Sequence, residues 1–231
     1  MSGRKNFVAG EILTAADVNS FLMDQSVMVF DDSPARGSAI PTPSEGMVTY
    51  LKSDDQVTVF DGSAFKPVGG LVAVKSALKT DIESFTSVAA SGNVTVTGLS
   101  VTHEVQDPAN RLIISAFFGA ASVNNQFGNV GIAVHDGSGL IVIGDAAGSR
   151  TRVTAGGFVH GFTGGNQALV VGMPSVTFVH TPGAGSKTYT VRAINVTSSA
   201  QTLNINRAQS DNDDGSRPRS VSSLVIQEVA V

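Results

Sequence analysis

No cysteine occurs in the 231 residues. That removes disulfide frameworks, thiolate zinc sites and cysteine nucleophiles, and it leaves stability to packing or assembly. Tryptophan is absent and tyrosine occurs twice, so an aromatic platform for stacking sugars is poorly supplied. Charge is sparse as well: Asp, Glu, Lys and Arg make up 15% of the chain, the formal net charge is −4, and the basic residues are scattered. A phosphate backbone needs a basic stripe to neutralise it, so nucleic acid is not an expected ligand. No run approaches the roughly 20 apolar residues of a membrane-spanning helix, and the opening MSGRKNFVAGEILTAADVN lacks the apolar core of a signal peptide. Synthesis and folding in a cytoplasm, without membrane insertion, is the expectation.

What the chain has in quantity is apolar residues (42%), 25 glycines, and many serines and threonines. That composition suits short strands joined by tight turns. The length allows one large all-β domain or two small ones.

Thr14 can cap a first helix, with Asp17 completing a capping box and Leu13 and Val18 placed as a hydrophobic staple. Val18, Phe21, Leu22 and Val29 recur at helical spacing, which predicts one apolar face between Ala15 and about Val29 that needs a partner. Pro34, Gly37, Pro41 and Pro43 predict an extended connection. Met47 to Leu51, Val57 to Phe60 and Ala64 to Val68 alternate at the strand period around turns at Lys52 to Gln56 and Asp61-Gly62, giving a three-strand meander. Residues 1–68 thus read as one module, 69–92 as a linker with a first strand, and 93–231 as a β domain.

From Leu71 onward strand-like runs follow one another: Val72 to Leu78, Asn93 to Val105, Arg111 to Phe118, Asn129 to Val134, Leu140 to Ile143, Arg150 to Thr154, Ala168 to Val171, Ser175 to His180, Thr188 to Val196, Thr202 to Asn206 and Val221 to Val229. About eight to eleven strands separated by Gly, Asn, Asp and Pro turns predict an antiparallel sandwich of jelly-roll type.

The segment AGEILTAADVNSFLMDQSVMVFDD (Ala9 to Asp32), followed by ARGSAIPTPSEGMVTYLKSDDQVTVFDGSAFKPV (Ala35 to Val68), resembles a module of tailed-bacteriophage virion proteins of the minor tail protein or tail fibre type. The order helix, Arg-x-x-Ala-Ile-Pro, Pro-x-Glu-Gly-Met-Val and Asp-Gly-x-x-aromatic is kept. Arg36 is followed by Gly37, and Phe65 stands where that module often has Trp. VTGLSV (Val96 to Val101), KTYTVRA (Lys187 to Ala193), INRAQSDNDD (Ile205 to Asp214) and SSLVIQEV (Ser222 to Val229), among other stretches, resemble receptor-type jelly-roll domains of phage fibres and related projections. The resemblance implies a virion location and attachment to other virion proteins through residues 1–68. It also implies a displayed domain that is a homotrimer and meets a host surface glycan or protein. A head fibre or capsid decoration protein is the alternative, and a glycan-hydrolysing spike a lesser one.

Catalytic patterns are missing: there is no G-x-S-x-G elbow, no H-E-x-x-H helix and no G-x-G-x-x-G leading from strand to helix. GAGSKT (Gly183 to Thr188) lacks the adjacent Gly-Lys of a phosphate loop and reads as a turn before a strand. His103, His135, His160 and His180 have no local ligand spacing, although a three-fold axis could gather three copies of one around a metal. Asp211, Asp213 and Gly215 are similar to part of a calcium loop, but its twelfth position is Ser222 rather than Glu, so a solvated acidic turn with Arg217 and Arg219 is the expectation. Asp107, Asp145 and Glu104 read as solvated carboxylates rather than a glycosidase pair, which must stand roughly 5 to 10 Å apart. No enzyme activity and no cofactor are therefore expected. Binding is expected at exposed loops on a rigid sandwich, with Phe158, Phe162 and Asn166 in one loop and Asp211, Asp213 and Arg217 in another.

Overall fold

The computed structural model describes residues 8–19, 26–68, 70–124, 130–156, 171–213, 215, 217 and 219–230. The chain is mainly β and forms two compact units, one from Met1 to Gly70 and one from Leu71 to Val229.

In the first unit, helix α1 (Ala15–Val18) begins with the predicted capping box: Thr14 Oγ1 accepts from Asp17 N, and the Asp17 carboxylate accepts from Thr14 N. Val29 does not extend that helix. It lies in strand β1 (Met28–Phe30), which pairs in parallel with β2 (Val48–Leu51). Alternation in Val27-Met28-Val29-Phe30 serves a strand edge better than a helix, because β-branched side chains are restricted at χ1. The expected extended connection is also corrected. Asp32 Oδ1 accepts from Ala35 N at 2.8 Å and caps helix α2 (Ser33–Ala39), whose first turn tolerates Pro34 because that position has no intrahelical N–H bond to lose. Strands β3 (Gln56–Phe60) and β4 (Phe65–Pro67) complete a sheet ordered β1-β2-β3-β4. Met47 and Leu51 are buried in it, together with a Thr49–Thr58 hydroxyl pair at 2.7 Å.

The second unit is a sandwich. One sheet has the order β13-β8-β16-β5, from Ser175–His180, Arg111–Phe118, Ser222–Val229 and Leu71–Lys79. The facing sheet has the order β11-β10-β14-β7, from Leu140–Ile141, Val130–His135, Gly185–Asn195 and Asn93–Val105, with β12 (Ala155–Gly156) also on β10. A third sheet, β6-β15-β9 (Glu83–Val88, Gln201–Ile205, Ala121–Val123), carries three strands of the first sheet onward: β6 follows β5, β9 follows β8 and β15 precedes β16. The long strands β5, β7, β8, β10, β13, β14 and β16 alternate between the two facing sheets along the chain, which is jelly-roll connectivity.

Both sheets alternate inward apolar residues with outward ones. Leu112, Ile114, Phe118, Leu224 and Ile226 come from one sheet, and Leu99, Val101, Tyr189, Val191, Ile132 and Val134 from the other. A fully buried large apolar side chain contributes about 1.5–3 kcal/mol, so this layer dominates stability. Gly98, at φ +83°, sits where the β7–β14 register shifts, and beyond it the inward set changes from Val94 and Val96 to Leu99, Val101 and His103. Residues 96–99 of β7 lie opposite Val191 alone, and such an odd excess reverses side-chain parity, while glycine adopts the required backbone without strain.

Residues 150–154 are not a strand. Val153 lies over Gly131 of β10, and Thr154 N donates to Ile132 O at 3.0 Å before the short β12. The expected run from Ala168 lies outside the described residues, except Val171, which is in no strand. Strands β6 and β9 had no clear alternation to announce them.

Candidate docking and recognition surfaces

Asp32, two residues beyond β1, starts α2, and the helix then carries Ala39 and Ile40 back beside β1. A cleft of about 410 Å³ forms there, lined by Ser26 to Phe30, Ala39 and Ile40. Val27 and Val29 are each 57% exposed, so the cleft presents apolar surface to solvent. Of the expected docking residues, Val29 is in this cleft, Val18 is half-buried on α1, and Phe21 and Leu22 lie outside the described residues. Ala39, Ile40 and the Asp32 cap were missed in the sequence, although Asp-Ser-Pro is a readable helix start.

The quoted motif residues hold this unit together. The Arg36 guanidinium lies 4.0 Å from the centroid of the Phe65 ring and donates to Thr58 Oγ1 at 3.0 Å, tying α2 to β3 and β4. Asp61 Oδ1 accepts from Ser63 N and Ala64 N, both at 2.8 Å, and these backbone donors hold its carboxyl down to about 2.

In the second unit, residues 207–221 form an excursion between β15 and β16. Asn206, buried at φ +62°, closes its base: Asn206 Nδ2 donates to Lys79 O and Asp81 O at 2.9 Å, Ser220 N donates to Asn206 O at 3.2 Å, and Ser222 Oγ donates to Asn206 Oδ1 at 2.6 Å. Within the loop the Asp211 carboxylate accepts from Arg219 at 2.9 Å and stands 3.7 Å from Arg207. Asp211, Asn212, Asp213, Arg217 and Arg219 line an open cleft of about 340 Å³. A carboxylate already shared by two guanidiniums is a poor ligand for a hard cation, which prefers several free oxygens. Among the described residues, no three His, Asp or Glu side chains converge as a metal set. The other expected recognition residues, Phe158, Phe162 and Asn166, lie outside the described residues, as does His160.

A polar layer inside one end of the sandwich was not foreseen. Glu228 of β16 points inward and is fully buried. Its Oε1 accepts from Asn110 Nδ2 at 2.7 Å and Gln106 N at 2.9 Å, and its Oε2 meets His103 Nε2 at 2.7 Å. Burial pushes this carboxyl up, but hydrogen bonds from Asn110, His103 and the backbone N–H groups of Gln106 and Asp107 outweigh it and hold the value below the ordinary one. An ionised carboxylate only accepts, so His103 Nε2 carries the hydrogen.

Beside this pair, His180 of β13 packs edge-on against Tyr189 of β14, with centroids 6.0 Å apart. Burial lowers His180, against the pull of Asp136 and helped by Lys187. Burial, with Asp136, pushes the Tyr189 phenol up to about 12. Asp136 is held low: burial opposes its charge, and the N–H groups of Ser138 and Gly139, with Lys187 and His180, outweigh that. His103 with Glu228, and Tyr189 with His180, each join the two facing sheets, so the layer clamps the sandwich.

Other sequence candidates are kept apart. GAGSKT is a turn with positive φ at Gly183 and Gly185 leading directly into β14. Glu104 and Asp145 are exposed, and Asp107 Oδ1 accepts from Ala109 N at 2.8 Å in a turn.

No family model matches the chain, and no curated protein matches it. Among solved structures, a chain from the structure of infectious bursal disease virus, Gx strain, is 15% identical with a TM-score of 0.35. That match covers 75% of this chain and 46% of the viral one, so this chain spans about half the length of its counterpart.

Proposed function

We propose that this protein is a non-enzymatic structural protein of a tailed-bacteriophage virion, of the tail fibre or minor tail type. Its first unit fastens to another virion protein, and its jelly roll is displayed as a homotrimer that contacts a host surface glycan or protein. The observation that carries the reading lies in the first unit. The residues ordered as in phage attachment modules, Arg36, Met47, Asp61 and Phe65 among them, are spent on folding. The same unit leaves Val27 and Val29 bare in an apolar cleft. Burying apolar surface against a partner drives association, and a small unit with an unfilled apolar cleft fits a docking role.

The test is incorporation. Particles assembled with the Val27→Asp, Val29→Asp chain as sole supply are expected to carry at least ten-fold less of it by immunoblot, while the purified variant keeps its circular dichroism spectrum. Normal incorporation would remove the cleft from the attachment role. Gold label on the second unit is expected at the tail; label spread over the shell would make the protein a capsid decoration instead.

A further inference from the structure

The outer face of the β13-β8-β16-β5 sheet has an unusual composition. Its register places Val179, Ile113, Gln227 and Val74 in one row across the four strands. The next row is Thr177, Ser115, Val225 and Ser76, and the third is Ser175, Phe117, Ser223 and Leu78. No charged residue stands in these three rows. The nearest on the face is Arg111, one row further out, where it donates to Ala109 O at 2.7 Å. Lys75 of β5 has the opposite parity and reaches across to Thr102 O of the other sheet. Four apolar members are bare, with Leu78 63% exposed, Val179 62%, Val74 52% and Phe117 38%, and Ile113 and Val225 between them are half-buried. Ser115 and Thr177 use their hydroxyls on each other at 3.0 Å.

We propose that this face is the surface through which copies of this chain associate. This goes beyond the functional reading: a patch that meets its own copy makes a two-fold contact, separate from the three-fold contact of the homotrimer, and it needs nothing from the attachment part. The occupant follows from charge and size. The chain has a net charge of −4, so copies repel except where charge is absent, and this face is such a place. Two copies of an uncharged apolar and hydroxyl surface match each other without any complementary charge, whereas a charged partner would leave its own groups desolvated and unpaired. Four strands about 4.8 Å apart and about seven residues long cover roughly 450 Å² in projection. Side-chain relief adds to that, so two facing copies bury on the order of 1,000 Å², where specific association begins. The opposite outer face, with Glu104, Arg192, Thr102 and Thr188, has charge and is built to meet water.

The test uses the full chain. Light scattering after size exclusion at tens of micromolar is expected to show an oligomer, and Leu78→Glu with Val179→Glu is expected to halve its mass with an unchanged melting curve. Thr188→Glu, on the opposite face, is expected to leave the oligomer intact. A monomeric parent chain, or an oligomer whose mass survives the double substitution, overturns the proposal. The absence of native cysteine supplies a second measurement independent of those variants. A cysteine at Ser115 is expected to react with maleimide at least ten-fold more slowly in concentrated than in dilute protein, while one at Thr188 reacts equally in both. Protection of Ser115→Cys that ignores concentration would mean the face is covered by its own chain, and would also overturn the proposal. Normal particle incorporation of the double variant, once its mass has halved, would leave the attachment reading standing by itself.

Discussion

The two sheets of the jelly roll contribute to one core but differ in what they turn outward. On β7 and β14 the outward positions are Thr95, Thr102, Glu104, Ser186, Thr188 and Arg192; on β8 and β16 they include Ile113, Phe117, Val225 and Gln227. Core formation constrains only the inward parity, so the outward set is free to record what each face meets. The first face is solvated. The second has the composition of a surface awaiting contact.

The sharpest way to test that the sheets share one rigid core is to crowd each at a glycine. A Cβ on Gly119, at the end of β8, would stand 2.1 Å from Val221 O, a backbone atom that cannot turn away. A Cβ on Gly131 of β10 would stand 2.4 Å from Val153 Cγ1, a side chain with some freedom to move. Gly119→Ala is expected to cost about 3 kcal/mol and Gly131→Ala about 1–2 kcal/mol, read from urea midpoints. The reverse order would mean that the excursion at Val221 yields more easily than the segment over β10.

Next in size is the clamp between the sheets. Glu228→Ala leaves Asn110, His103 and two backbone N–H groups without their acceptor, and is expected to cost about 3 kcal/mol in urea unfolding. A cost below about 1 kcal/mol would show that the layer is passive. Acid should reveal the same clamp in two stages. His180 is held below its ordinary 6.5, so its neutral form favours the fold, and stability falls as pH drops below 6.5. Glu228 is held below its ordinary 4.5, so its contribution is complete above 4.5 and is lost as pH falls through the folded value. Asp136 adds to this lower stage from its ordinary 3.8. A melting-temperature series should lose part of the lower stage in Glu228→Gln and the upper one in His180→Gln. A Glu228→Gln profile with the parental shape would refute the assignment.

The smallest effect belongs to the loop. Asp211 and Arg219 are both partly exposed, and such pairs contribute about 0.2–1 kcal/mol. Asp211→Asn is therefore expected to move the melting temperature by no more than a degree or two, and a large shift would mean that the excursion is coupled to the sandwich.

The architecture was readable where alternation is strict. Asn93 to Val105, Arg111 to Phe118 and Ser175 to His180 are strands with the expected ends. Strand β16 shows why the rest was not. In SSLVIQEV the inward set is Ser, Leu, Ile and Glu and the outward set Ser, Val, Gln and Val. Alternation alone would sooner have placed Glu228 in water. It is buried because donors over a hundred positions earlier, at His103, Gln106 and Asn110, meet it in space. Val29 was misread for a related reason: an apolar run that fits a helical period also fits a short strand, and pairing with Val48–Leu51 decided the matter. Asp211 was rightly read as part of an acidic loop, but Arg207, its second cationic neighbour, was not foreseen.

Asn206 has one more consequence. By fastening Lys79, Asp81, Ala120, Ser220 and Ser222 at a single buried residue, it makes the last long strand of the jelly roll continuous in space though interrupted in the chain. Ala208 and Val221 still pack against the sandwich, but residues 209–219 between them leave and rejoin it at a fixed point, so mutations, insertions or whole replacement cassettes can accumulate there while the sandwich keeps its register. The place where the second unit tolerates sequence change is set by that one asparagine.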